Sequence, residues 1–214
     1  MEASARQSPW LKQEDRERER SQKREAVLEA AVRSFNERGF HATSLDEVAA
    51  ALNVTKPTIY HYFGTKDEIL FECVRRGLEG IRVAAEGARA TGGTGMERLR
   101  ALLSAYAVTM TKDFGMCVIR TADHELSGES RAKFRALKRE IDRTIRRVVE
   151  EGMADGSIAE GDARMVTFTL TGALNWIARW YDPAGSMRAE DIAGAVIKTL
   201  IDGLAPRPQQ RKQG

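Results

Sequence analysis

Apolar residues recur at three- and four-residue spacing along most of this chain, and that spacing restricts it to a bundle of helices. Val27, Leu28, Ala31 and Phe35 begin the pattern. Ile69, Leu70, Cys73, Val74 and Leu78 repeat it, and Phe134, Leu137, Ile141, Ile145 and Val148 carry it through a third stretch. Alternating strand patterns are hard to find. The five prolines spare these stretches: Pro9, Pro183, Pro206 and Pro208 lie outside them, and Pro57 stands at an expected helix start, where its missing N–H costs nothing. The reading is all-α. A chain of 214 residues can bury a core without disulfides or metal. No apolar run approaches the roughly 18 residues that cross a bilayer. Residues 11–25 are dense in charge where a signal peptide would turn apolar. A cytoplasmic location and no membrane partner are therefore expected. Cys73 and Cys117 lack CxxC spacing and read as packed thiols.

The polar, charge-mixed start suggests a flexible arm over residues 1–20 that can also extend the first helix, with Trp10 loosely packed in it. From Lys23 the helical pattern sets in, and Gly39 ends it as a C-cap. Ser44 to Glu47 reads S-x-x-E, a capping box that opens a short helix with Leu45, Val48, Ala49 and Leu52 inward. Asn53 tolerates a left-handed turn. Thr55 then starts a second short helix with Ile59 and Phe63 inward, and Gly64 stops it. Thr65 to Glu68 is a second capping box. Further helices are expected over roughly 66–90, 95–112, 116–126, 129–153, 161–181 and 188–204, with breaks at Gly92-Gly93, Asp113-Phe114-Gly115, Ser127-Gly128, 152–161 and Asp182-Pro183.

Two short helices on a tight turn, after a longer one, describe a helix-turn-helix unit. Its second helix leaves Lys56, Thr58, Tyr60 and His61 outside once Ile59 and Phe63 turn inward, and such side chains suit a major groove. Gly39-Phe40, Thr43-Ser44-Leu45, Val48-Ala49, Leu52, Val54-Thr55, Thr58-Ile59-Tyr60, Tyr62-Phe63 and Lys66-Asp67-Glu68-Ile69-Leu70 agree without gaps with one family. Here the chain resembles the TetR/AcrR-type transcriptional regulators. The resemblance implies an N-terminal three-helix DNA-binding domain over residues 21–81, with its motif at 44–63, and a helical effector-binding and dimerisation domain over 82–205, before a flexible tail at 206–214. It implies that Thr43 and Ser44 set a helix start at a phosphate and that Thr55 caps the recognition helix. Lys56, Pro57, Thr58, Tyr60, His61, Tyr62 and Lys66 would meet bases or backbone. Other readings stand beside these: Ser44 and Thr65 cap helices without DNA, Pro57 is a helix-start residue first, and Tyr60 and Tyr62 are also candidates for packed aromatics.

The resemblance further implies a homodimer formed through the last two helices, a double-stranded operator as partner, and a small hydrophobic effector. Segments 161–181 and 188–204 carry more apolar residues than one buried stripe needs. Tyr106, Met110, Met116, Phe168, Trp176 and Trp180 are the candidate pocket residues, each also a candidate for plain core. The stretch 175–183, NWIARWYDP, resembles the corresponding helix end of members that sense acyl-CoA thioesters. Residues 131–147 hold eight arginines and lysines against Glu140 and Asp142. Arg135 and Arg139 in that segment suggest a cationic rim for CoA phosphates, with a solvated helix face as the plainer alternative.

No catalytic motif competes with this reading. His41, His61 and His124 have no metal-ligand spacing, no GxSxG or phosphate-binding glycine loop is present, and no cofactor is expected. An efflux-type regulator sensing other small molecules is the alternative function. An architectural DNA-binding protein would need neither the aromatic-rich second half nor so balanced a charge. The net charge is only +3, and residues 41–70 carry two lysines against four carboxylates, so any DNA binding there rests on placed side chains.

Overall fold

A computed structural model describes residues 13–90 and 92–203. Among these residues there are nine α-helices and no strand: α1 (Gln13–Arg38), α2 (Leu45–Ala51), α3 (Lys56–Tyr62), α4 (Lys66–Ala90), α5 (Gly95–Met110), α6 (Asp113–Arg120), α7 (Gly128–Ala154), α8 (Ala163–Trp180) and α9 (Ala189–Asp202). A short 3-10 turn, Asp123–Glu125, joins α6 to α7. Trp10 and the expected tail at 206–214 lie outside the described residues.

Local signals explain most helix ends. Gly39 takes φ +82° after α1, and Asn53 takes φ +53° in the turn between α2 and α3. Ser44 closes a full capping box with Glu47. The second box differs from expectation: Thr65 Oγ1 accepts the Glu68 N–H at 3.0 Å, but Glu68 reaches past Thr65 to the N–H of Gly64 at 2.8 Å. A third box, Thr94 with Glu97, opens α5.

Residues 13–20 extend the first helix, because α1 starts at Gln13 and not at Lys23. Its exposed first turns need no apolar stripe, since ion pairs such as Lys23–Glu19 at 2.6 Å support a solvated helix. Asp113-Phe114-Gly115 is the first turn of α6 and not a break. Gly115 is needed there because a Cβ would sit 1.9 Å from the carbonyl oxygen of Thr109, so the backbones meet where a breaker was read. The 116–126 segment accordingly splits into α6 and the 3-10 turn. As the 66–90 pattern indicates, α4 runs unbroken past residues 81 and 82, so the two halves share a helix.

That shared helix organises the core. Its N-terminal half packs with α1, burying Ile69, Leu70 and Cys73 beside Val27, Leu28, Ala31 and Phe35. Its remaining length lies against α5, α6 and α7, where Leu102, Leu103, Phe134 and Ile145 are fully buried. Each such side chain contributes roughly 1.5–3 kcal/mol by leaving water. No single helix among the described residues is long and apolar enough to cross a membrane. The α5–α6 pair, bent by 86°, is apolar enough jointly, but its apolar residues line this core.

Both cysteines are buried and free. Burial pushes the Cys117 thiol up to about 12, and burial likewise raises Cys73. A raised thiol pKa means the folded state holds its protons while the unfolded chain releases them near pH 8.5, so this contribution to stability fades as pH rises above that value. Iodoacetamide at pH 8.5 should therefore leave both thiols unlabelled in the native protein and label both in denaturant, as counted by intact mass.

Candidate functional site

The first half presents one compact polar face. Ile59 and Phe63 anchor α3 in the core, and this turns Pro57, Tyr60 and His61 outward, with Thr58 half-buried. Tyr60 is 45 % exposed, too open for a packed aromatic. Arg24 on α1 fixes the far end of the helix: its guanidinium donates to the Tyr62 carbonyl and lies 4.2 Å over the Phe63 ring. Tyr62 is half-buried, with its ring edge-on to His61 at 5.1 Å. Lys66 sits 4.5 Å over the Phe40 ring, and burial lowers its pKa.

The expected contact residues are not equally placed. Thr43 is 2 % exposed, and its hydroxyl is shared between the carbonyls of Ser34 at 3.0 Å and Gly39 at 2.9 Å. It therefore ties off the end of α1 and offers no donor at the surface. Thr55 holds the N-cap position of α3, yet its hydroxyl meets the Thr58 hydroxyl at 3.0 Å and caps no backbone N–H. Ser44 accepts from the Asp46 N–H at 3.1 Å and is committed to its cap. Lys56 has a structural partner that its spacing did not reveal: its ammonium meets Asp46 Oδ2 at 2.9 Å. The hydrogen bond to Lys56 holds the Asp46 carboxyl below its ordinary range and, in turn, raises Lys56.

In the second half, α4, α5, α6, α7 and α8 line a half-open cavity of about 120 Å³. Leu78, Ile81, Val118, Ile119, Ile141 and Ile145 make its apolar wall, while Tyr106, Thr171 and Asn175 supply polar groups. The Tyr106 hydroxyl donates to Asn175 Oδ1 at 2.7 Å, and burial drives the phenol far above its ordinary pKa. Lys138 and Asp142 stand in the same lining. Lys138 joins Arg135 on the Asp123 carboxylate, at 3.2 Å and 2.6 Å respectively. These two cations, Arg135 foremost, hold Asp123 below the usual carboxylate range.

Of the expected pocket residues only Tyr106 lines this cavity. Met110 is fully buried core, and Met116 faces a separate recess beside α1, lined by Arg33, Asn36 and Arg120. Phe168, Trp176 and Trp180 point away from it, at 44 %, 65 % and 47 % exposure, because Leu170, Leu174 and Ile177 take the inner face of α8. Trp176 and Trp180 flank an open apolar recess between α8 and α9, about 660 Å³ in volume, with Val196 and Leu200 on its other side. Arg139 is exposed, and Arg135 lies outside the lining, joined to it only through Asp123 and Lys138. The sequence pattern marks Lys138 only as one of eight basic residues in 131–147 and Asn175 only as the first residue of NWIARWYDP. Lys138 was legible, since it stands four residues from Phe134 and three from Ile141 on the apolar stripe.

A clamp links the halves. Arg120, at the end of α6, donates to the carbonyls of Asn36 on α1 and Ala178 on α8, both at 2.9 Å. Asn36 Nδ2 returns a bond to the Asp113 carbonyl at the start of α6, at 2.8 Å.

This arrangement matches known proteins on both sides of α4. Residues 27–73 match the model of bacterial regulatory proteins of the tetR family, and residues 92–204 match that of the tetracyclin repressor-like C-terminal domain. The transcriptional repressor KstR2 of Rhodococcus jostii is 26 % identical over 87 % of this chain and 93 % of its own. The crystal structure of PfmR from Thermus thermophilus, a TetR family transcriptional regulator, superposes with a TM-score of 0.77 at 32 % identity, covering 84 % of this chain and 99 % of that one. AibR, solved in complex with isovaleryl coenzyme A and operator DNA, gives a TM-score of 0.74 at 26 % identity over 85 % and 99 % of the two chains. With one model covering more than half of its length and a 32 % identical relative matched almost end to end, the chain belongs to the TetR family of DNA-binding transcriptional regulators.

Proposed function

We propose that this protein is a homodimeric repressor that leaves its operator when an acyl-CoA enters the cavity of the second half. The observation that carries the DNA side is the outward face of α3, with Pro57, Thr58, Tyr60 and His61 raised on a helix pinned by Ile59, Phe63 and Arg24. Lys56 flanks that face and would exchange Asp46 for a phosphate on binding. Thr55 and Lys66 remain proposed backbone contacts, and Ser44 and Tyr62 would act by position as much as by hydroxyl. The apolar recess between α8 and α9, with Trp176 and Trp180 exposed beside it, supports a self-complementary dimer face. Pairing there would set two α3 helices on half-sites about 34–36 Å apart.

On the effector side, the cavity offers an apolar wall for an acyl chain, with Lys138 and Arg135 near it for an anionic head. The relative bound to isovaleryl coenzyme A and operator DNA supports the same pairing of ligand and function. Release requires that the ligand prefer one state over the other. Arg120 is placed to carry that preference, because it touches α1, α6 and α8 at once.

Lys56→Ala should weaken operator binding and reduce the salt slope by about one charge in fluorescence anisotropy titrations. Asp46→Asn, which frees Lys56, should tighten binding about two- to fivefold at low salt. Unchanged affinity and slope in both variants would overturn the placement of Lys56 at DNA. Arg120→Ala should keep the thermal shift given by isovaleryl-CoA yet lose most ligand-induced release of a fluorescent operator. Trp176→Asp should move the protein from dimer to monomer in analytical ultracentrifugation.

A further inference from the structure

A second space lies directly behind the cavity. Between α4 and α7 runs a groove of about 130 Å³, floored by Leu78, Ala85, Leu137 and Ile141. Leu78 and Ile141 line both this groove and the inner cavity, and they are the residues the two linings share. Both are nearly buried, at 4 % and 9 % exposure. On α7 the neighbours of Ile141 divide accordingly: Leu137 and Thr144 face the groove, whereas Lys138 and Ile145 face the cavity. The 100° step between helical residues puts position 141 on the border of the two faces. Two apolar side chains therefore separate two spaces of similar size.

The chemistry of the two mouths differs. At the groove, Arg82 pairs with Glu79 and Glu86, and Arg75 pairs with Glu72, all within α4. These self-compensated charges leave the apolar floor open and offer an anion little. By the inner cavity, Lys138 and Arg135 share the single carboxylate of Asp123. Two cations on one carboxylate favour an anionic head at that side, with the tail directed inward. The inner cavity is small, at about 120 Å³. A longer tail meets Leu78 and Ile141.

We infer that Leu78 and Ile141 form a partition that sets the tail length of an anionic amphiphile, ending the cavity after a short acyl chain and, when reduced, opening it into the α4–α7 groove. This rests on reading the cavity as the effector site. The opened space would be about twice that of the cavity alone.

The test is calorimetric titration of the full chain with butanoyl-, octanoyl- and dodecanoyl-CoA and with the three free acids. Wild type is compared with Leu78→Ala, Ile141→Ala and the milder Ile141→Val, each first checked for helicity by circular dichroism. Wild type should favour the butanoyl ester over the dodecanoyl ester by about tenfold or more. Either alanine variant should bring the dodecanoyl ester to parity or better, and Ile141→Val should move partway even if the alanine variants do not fold. The same order of tail preference in all folded variants overturns the partition. A shift seen equally with the free acids supports the partition and overturns the coenzyme part of the effector reading. Failure of every acid and thioester to bind wild type overturns the cavity as effector site, and the partition with it.

Discussion

Gly77 has no side chain because the backbone of α6 occupies the place where one would be. A Cβ there would fall 2.3 Å from the carbonyl oxygen of Phe114. The rest of the molecule depends on that close approach of α4 and α6. Helix α4 is shared by both halves, and α6 is tied to α1 through Asn36 and Arg120. Closely packed helices shift as bodies and do not deform gradually. On the proposed reading, a change in the cavity, walled partly by Val118 and Ile119 of α6, would thus be delivered to the helices that carry α3.

Charge is used sparingly around the outward face of α3. Lys56 is neutralised by Asp46, Arg38 pairs with Glu47 at 2.5 Å, and Arg24 serves the end of α3. A face built this way gains little from long-range attraction and depends on geometry, so on the proposed reading the spacing of two recognition helices would be a sensitive control. The basic surplus sits on α7, where Arg135, Lys138 and Asp123 form a cluster beside the cavity.

Much of the first half was legible because its signals are local. Gly39, Asn53 and the Ser44 box act within a few residues, and the inward role of Ile59 and Phe63 follows from helical spacing alone. The misreadings arose where a residue answers to a group outside its own helix, even one only a few positions away. Gly115 looked like a breaker because the Thr109 carbonyl that requires it belongs to another helix. Thr43 looked like a phosphate contact because its acceptors, Ser34 and Gly39, come into range only when α1 ends and turns back.

Phe168, Trp176 and Trp180 show the same division. Their type and helical spacing mark them as apolar contact residues, but an amphipathic helix with apolar residues on more than one face does not announce which face looks inward. Packing against α5, α6 and α7 chose Leu170, Leu174 and Ile177 for the interior and left the aromatics outside. The sequence by itself determined the all-α class, the helix-turn-helix unit and the outward turn of Tyr60 and His61, since periodicity and capping are properties of neighbouring residues. Only the tertiary structure decided which side chains meet at the cavity, that Lys56 has a partner, and that Leu78 and Ile141 stand between two spaces. Those facts depend on how far helices remote in sequence are brought together, which no local pattern records.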